Sequence, residues 1–291
     1  MKWPRFLRLL AAWCLGDDDR RVPPVPADLP AEVKPLVASA LRLLTTYQDA
    51  EYARLYLSRL GRFSSRRAVD GRMLLEIARL LAMRMAYQDL VWHAQLALAG
   101  GPDAEWVDFG MVLAAEALPD PVRPTVREIM ALFPVALARL VVDLHVRLGG
   151  ADAAMTLSLT GRTWRGRLAA SCVASLRRLR PQSVRYLHER PLVERWLHMI
   201  DRALTKQPAA ALEVVETAML LHGLGRPYRR ALVNWSLIID TLAKPTFDGS
   251  LPCEDLAGCL ARLRAIAAAD PSGEDVHREI MRIKAGLAHA A

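Results

Sequence analysis

The sequence predicts an all-α protein, a multi-helix globular bundle of about ten helices. Apolar residues recur at three- and four-residue intervals along most of the chain. Prolines and glycines punctuate most of the junctions between those runs, and sustained β-branched alternation is missing. Only TLSLTG at 156–161 reads otherwise, as a short strand or a loop. Composition agrees: 291 residues with 53% hydrophobic and 24% charged content can bury a substantial core and do not fit a disordered chain.

The chain opens with MKWPRFLRLLAAWCLG. A basic start and an apolar run suggest an export signal, but Arg8 interrupts the run and the DDDRR that follows offers no small-residue cleavage site. The stretch is also too short to span a bilayer. Residues 1–21 therefore read as an amphipathic segment of a cytoplasmic protein. VPPVPADLP, residues 22–30, carries four prolines, which remove backbone donors and favour extended chain, so it reads as a semi-rigid linker. From 31 to 60 one helical face is marked by Val33, Leu36, Val37, Ala40, Leu41 and Leu44, then by Tyr52, Leu55, Tyr56 and Leu60. After a break at 61–67, Asp70 reads as the N-cap of a long run to Leu98, which Gly100-Gly101-Pro102 stops. Further helices are expected near 103–117, 124–132, 135–148, 166–179, 191–205, 208–222, 228–243, 253–269 and 274–288. Residues 31–246 form one expected helical domain, with 247–291 as a helical pair packed on it.

Little in this chain spells out chemistry. There is no P-loop, and the glycine-spaced turn HGLGRPYRR at 222–230 lacks the third glycine of a dinucleotide fingerprint and follows a helical pattern. Cys14, Cys172, Cys253 and Cys259 form no C-x-x-C pair and read as reduced thiols. None of the seven histidines makes H-E-x-x-H, and Glu194 with His198 is an i, i+4 pair of the kind found on helix surfaces. No catalytic residue, metal site or cofactor bound by this chain is expected.

Charge is more informative. The formal net charge is +8, and only five of the 39 basic residues are lysines. Eight arginines lie between Arg162 and Arg190 against one acid, Glu189. Arg177, Arg178, Arg180 and Arg185 are read as the centre of a basic face. Its first reading is a solvated face or a surface for an acidic protein partner, with Arg177, Arg178 and Arg180 complementing a helix C-terminus. Nucleic acid or a small anion are the alternatives.

One triplet, Tyr-Gln-Asp, occurs twice, as Tyr47-Gln48-Asp49 and Tyr87-Gln88-Asp89. The flanks share little beyond helical apolarity, which argues against a repeat. The plain reading packs each Tyr at a helix edge and leaves each Asp at a polar rim.

Five stretches stand out in order: YQDAEYARLYLSRL at 47–60, LLAMRMAYQDL at 80–90, VRPTVREIMALFPVALARL at 122–140, VASLRRLRPQSVRYLHE at 173–189 and LLHGLGRPYRRALVNWSLIIDTL at 220–242. Together they resemble the C-terminal helical region, itself of unknown function, of proteobacterial indolepyruvate ferredoxin oxidoreductase beta-type subunits. The resemblance covers roughly residues 30–243 and makes the two triplets separate family signatures whose likeness is coincidental. It implies a complex that decarboxylates aryl 2-oxo acids, with thiamine diphosphate, iron–sulfur clusters and coenzyme A held by partner subunits. In that family the region follows an α/β catalytic domain, and only thirty residues precede the match here. The family also carries Asp-Thr-His and then Arg-Gly after the glycine turn, where this chain has Arg226, Pro227, Tyr228, Arg229 and Arg230. Only Gly223, Gly225 and Arg229 are carried over.

The expected function is therefore a non-catalytic structural or regulatory subunit docking on separately encoded oxidoreductase subunits. Tyr47, Asp49, Tyr87, Asp89, His222, Gly223, Gly225 and Arg229 are the candidate docking or ligand contacts. The alternative is a stand-alone basic helical module for nucleic acid or another polyanion. A membrane partner is not expected.

Overall fold

The computed structural model describes residues 20–99, 122–147, 156–160, 162–269 and 273–290. The expected N-terminal amphipathic segment and the helix expected at 103–117 lie outside them, apart from Arg20 and Arg21. The protein is all-α. Among the described residues only isolated bridges occur, Val122 with Leu157 and Pro134 with Ser183, so TLSLTG contributes one bridging residue rather than a strand. No helix among them is long and apolar enough to cross a membrane.

Contacts divide the chain into two units interleaved in sequence: Met1–Leu29, Lys34–Arg59 and Asp89–Glu189 form one, and Pro30–Val33, Leu60–Gln88 and Arg190–Ala291 the other. The first unit contains α1 (Lys34–Tyr47), the start of α2 (Ala50–Ser64), α4 (Leu90–Ala99), α5 (Val126–Met130), α6 (Val135–Arg147), α7 (Trp164–Ser175), a 3-10 turn (Leu176–Gln182) and the start of α8 (Val184–Lys206). Helices α4 and α7 lie against each other, and α5 packs on α6. Buried Leu41, Leu44, Tyr47, Tyr56 and Trp92 supply much of this core. The proline stretch is not simply a spacer, since Pro23 and Leu29 are buried.

The second unit holds the end of α2, α3 (Gly71–Met85), most of α8, α9 (Ala211–Glu216) between two 3-10 turns, α10 (Gly225–Ile238), a π turn (Ile239–Ala243), α11 (Lys244–Asp248), α12 (Leu256–Ala269) and α13 (Glu274–Ala290). Its centre is two buried tryptophans. The Trp196 indole donates to the carbonyls of Val214 (3.3 Å) and Val215 (3.1 Å), the end of short helix α9. The Trp235 indole donates to Thr217 Oγ1 at 3.2 Å, whose own hydroxyl donates to Val214. The Trp196 indole and the Thr217 hydroxyl thus give the carbonyls at the end of this short helix further donors beside the Thr217 amide. Arg264 ties α12 to α9 through Glu213 (2.5 Å) and Glu216 (2.6 Å), and α12 packs against α13.

Several boundaries differ from expectation for local reasons. The runs expected at 31–60 and 70–98 are each broken, at Gln48–Asp49 and at Ala86–Asp89. Helix α7 ends at Ser175 and the chain tightens into a 3-10 turn, because Pro181 cannot donate and disfavours α-helical backbone at the residue before it. Pro191 lies inside α8 rather than at its start. Asp70 caps α3 as expected, its carboxylate accepting from the Met73 amide at 2.7 Å.

Candidate functional site

The two Tyr-Gln-Asp triplets have the same local job. In each, the chain leaves one helix and Asp opens the next. Asp49 Oδ1 accepts from the Tyr52 amide (2.8 Å) at the start of α2, and Asp89 Oδ1 accepts from the Trp92 amide (2.7 Å) at the start of α4. An Asp side chain at this position satisfies an amide with no partner inside the helix. Tyr47, Tyr87 and Asp89 are buried, and Asp49 is partly so. The plain reading of an Asp at a polar rim is thus corrected for Asp89, and Tyr47 and Tyr87, named among the candidate docking or ligand contacts, are interior.

Arg180 brings parts of both triplets together. Its guanidinium grips Asp89 through two bonds, Nε to Oδ2 at 2.9 Å and Nη2 to Oδ1 at 3.0 Å. Its Nη1 donates to the Tyr47 carbonyl at 2.5 Å and to Gln48 Oε1 at 3.4 Å. The plane also covers the Tyr47 ring, 3.7 Å from its centroid. Both ions are only about 2% exposed, so the pair is stable only because its lone pairs and donors are nearly all used. The first triplet offers a ring, a carbonyl and an amide oxygen, whereas the second offers its carboxylate. The triplets share the capping job but offer Arg180 different groups.

The 3-10 turn aims Arg180 inward. Ser183 accepts at its Oγ from the Tyr186 amide (3.1 Å), capping α8, and donates that hydroxyl to the Arg180 carbonyl (2.7 Å). The Val184 and Arg185 amides reach the carbonyls of Phe133 and Ala131. Gln95 donates to the Thr46 carbonyl at 3.1 Å, closing the other side. Outward from the clamp, Tyr47 stacks on Tyr52, and Tyr52 leans on Tyr186. Burial pushes the Tyr52 phenol well above its ordinary range, with nearby Arg59 opposing, and burial alone does the same to Tyr56. These phenols stay neutral and serve packing. Glu189, also buried, pairs with Arg185 at 2.9 Å. His93 donates Nδ1–H to the Asp89 carbonyl at 2.9 Å, and burial pulls its pKa below the ordinary 6.5 despite that bond and the Asp89 charge.

The expected basic face dissolves accordingly. Arg180 is buried, Arg177 and Arg178 are half-buried, and Arg185 is half-buried and paired. Four of the eight arginines stay exposed: Arg162, Arg165, Arg167 and Arg190. Elsewhere Arg62 pairs with Glu194 and Asp201, Arg66 with Asp201, Arg195 with Asp240 and Arg202 with Asp248. Glu194 is thus engaged by an arginine.

The glycine turn is a separate feature in the second unit. Gly223 (φ 93°) and Gly225 (φ 70°) take left-handed backbone, which explains why glycine stands at both. The buried Arg84 donates to the Leu221 carbonyl at 2.8 Å, anchoring the turn from α3. His222 hydrogen-bonds the Met219 carbonyl through Nδ1 at 2.8 Å and is exposed, as are Arg226, Arg229 and Arg230 in the first turns of α10.

Among the described residues no group of three or more His, Cys, Asp or Glu could hold a metal ion. Sequence reasoning placed Arg180 on a basic face and missed that it is interior, because nothing local distinguishes it from its neighbouring arginines. The cap at Asp89 was missed as well, because it lies inside the run read as one helix from Asp70 to Leu98. Sequence reasoning also missed that Cys253 and Cys259 come within 3.9 Å. Compared with known proteins, residues 33–241 match the model of a family described only as a family of unknown function, DUF6537. No curated protein and no solved structure matches the chain.

Proposed function

From the premise that the chain belongs to the DUF6537 family of unknown function, we propose that it is a non-catalytic structural or regulatory subunit of a 2-oxoacid:ferredoxin oxidoreductase complex of the indolepyruvate type. Two things support the reading. One is the ordered set of five motifs between 47 and 242, whose resemblance to the helical region of such enzymes covers most of the family match. The other, which carries the docking element, is helix α6. Leu137, Leu140 and Leu144 recur on it at helical spacing, and Leu140 and Leu144 are 67% and 57% exposed. Arg139, Asp143 and Arg147 are also exposed on this helix. Exposed leucines in register, rimmed by charge, suit a partner surface. The buried Tyr-Gln-Asp elements hold the scaffold that presents it. Thiamine diphosphate, iron–sulfur clusters and coenzyme A belong to the partner subunits on this reading.

The test is an affinity pull-down from the native organism, nuclease-treated and washed at moderate salt, with wild type beside a Leu140→Ser, Leu144→Ser variant. Recovery of a thiamine-dependent subunit near one-to-one by the wild type, and its loss with the variant, is the expected result. Absence of any such subunit from the wild-type eluate overturns the proposal.

A second reading, a module for nucleic acid or another polyanion, is favoured by one observation. Trp164 is 72% exposed at the start of α7, the Arg165 guanidinium lies 5.2 Å from its ring centroid, and Arg162 and Arg167 are exposed nearby in sequence. An open indole among arginines can stack on a base while the cations meet phosphates. On this reading retention on heparin falls steeply with salt, and Trp164→Ala with Arg162, Arg165 and Arg167→Glu abolishes it.

A further inference from the structure

Cys253 and Cys259 are separated by Glu-Asp-Leu-Ala-Gly, a spacing that suggests no pairing, yet their Sγ atoms lie 3.9 Å apart. The local fold brings this about. Asp255 caps α12, its Oδ1 accepting from the Gly258 amide at 2.9 Å while its carbonyl accepts from Cys259. That reversal turns the first turn of α12 back over the segment that precedes it. Gln207 Nε2 donates to the Cys253 carbonyl at 2.8 Å and pins the other arm. Both cysteines are free and nearly buried, 3% and 6% exposed.

We propose that Cys253 and Cys259 form a dithiol that is oxidised to an intramolecular disulfide by exchange with a low-molecular-weight disulfide such as oxidised glutathione. A disulfide needs its sulfurs at about 2.05 Å, so the gap must close by about 2 Å, within reach of side-chain rotation and a small shift of the 251–255 segment. The two sulfurs are not equivalent. Cys259 Sγ receives the guanidinium of Arg262, itself exposed, at 3.6 Å. Burial first, and then the neighbouring Cys259, push the Cys253 thiol up to about 12. Cys259 is thus the attacking sulfur and Cys253 the resolving one.

In the first step the Cys259 thiolate attacks one sulfur of the small disulfide. A mixed disulfide forms and one small thiolate leaves. In the second, Cys253 gives its proton to solvent and attacks Cys259 Sγ, and the second small thiolate leaves. Two protein thiols are oxidised by two electrons, and the small disulfide is reduced to two thiols.

The experiment equilibrates the reduced full-length chain in reduced and oxidised glutathione at graded ratios, then traps free thiols by alkylation at low pH. Mass spectrometry follows after cleavage before Asp255, which separates the two cysteines into different peptides. The expected result is a Cys253–Cys259 pair of peptides that stay joined until reduced and dominate when oxidised glutathione is in excess, while exposed Cys172 carries glutathione in a mixed disulfide. Recovery of Cys253 and Cys259 as separately alkylated peptides, under conditions that glutathionylate Cys172, overturns the proposal. Phenylarsine oxide gives a second readout without oxidation: one arsenic bridging the pair protects both thiols from alkylation in the native chain and leaves Cys253 unprotected in Cys259→Ser. Full alkylation of both thiols in native protein saturated with the arsenical would also refute it.

Discussion

Arg180 owes its burial to two bonds on one carboxylate, a carbonyl, an amide oxygen and a ring face. Removing one ion of such a pair strands the other, so Arg180→Met is expected to cost about 3–5 kcal/mol in urea unfolding. Arg180→Lys should recover only part of this, since an ammonium cannot make the two-pronged grip. Asp89→Asn separates the two duties of that residue: Oδ1 can still cap α4 through the Trp92 amide, but the charge is gone. A double-mutant cycle over 89 and 180 should show coupling above 1 kcal/mol, and additivity would refute the clamp. His93 adds a pH dependence. Its folded-state pKa is depressed, so below about 6.5 the unfolded chain takes up a proton that the folded chain refuses, and stability falls as pH drops through that window. His93→Gln should flatten that part of the stability–pH curve.

At the scale of elements, helix starts were legible where a side chain caps them and hidden where an apolar run continued across the cap. Asp70 stands before its helix after a break, so it could be read, and Asp70→Ala is expected to cost about 1 kcal/mol. Asp49 and Asp89 sit inside long helical patterns, where periodicity persists across one or two non-helical residues and masks the break. Gly223 is the opposite case: its φ of 93° makes Gly223→Ala costly by about 1–2 kcal/mol even though the space around it is open. The leucines of α6 should behave as surface residues. Leu140→Ser with Leu144→Ser is expected to leave the urea midpoint nearly unchanged, which distinguishes lost docking from lost folding.

For the whole molecule, a net charge of +8 spread over arginines says less than where each guanidinium goes. Arg62, Arg66, Arg195, Arg202 and Arg264 hold carboxylates on neighbouring elements of the second unit; in the first, Arg180 does so and Arg185 holds Glu189 within its own helix. Charge reversal at Arg177, Arg178 and Arg180 together would thus unfold the clamp rather than report on binding. Reversal at exposed Arg162, Arg165 and Arg167 tests polyanion binding cleanly, with heparin retention as the measurement.

By itself the sequence determined the all-helical class, most helix positions and the cap at Asp70, because these depend on residues within a turn or two of one another. Only the tertiary structure decided which arginine among eight is interior, which carboxylate it meets ninety-one positions away, and which two cysteines face each other. Side-chain burial is settled by what the chain folds against, and the cost of desolvating an ion is repaid only by partners that sequence neighbours do not supply.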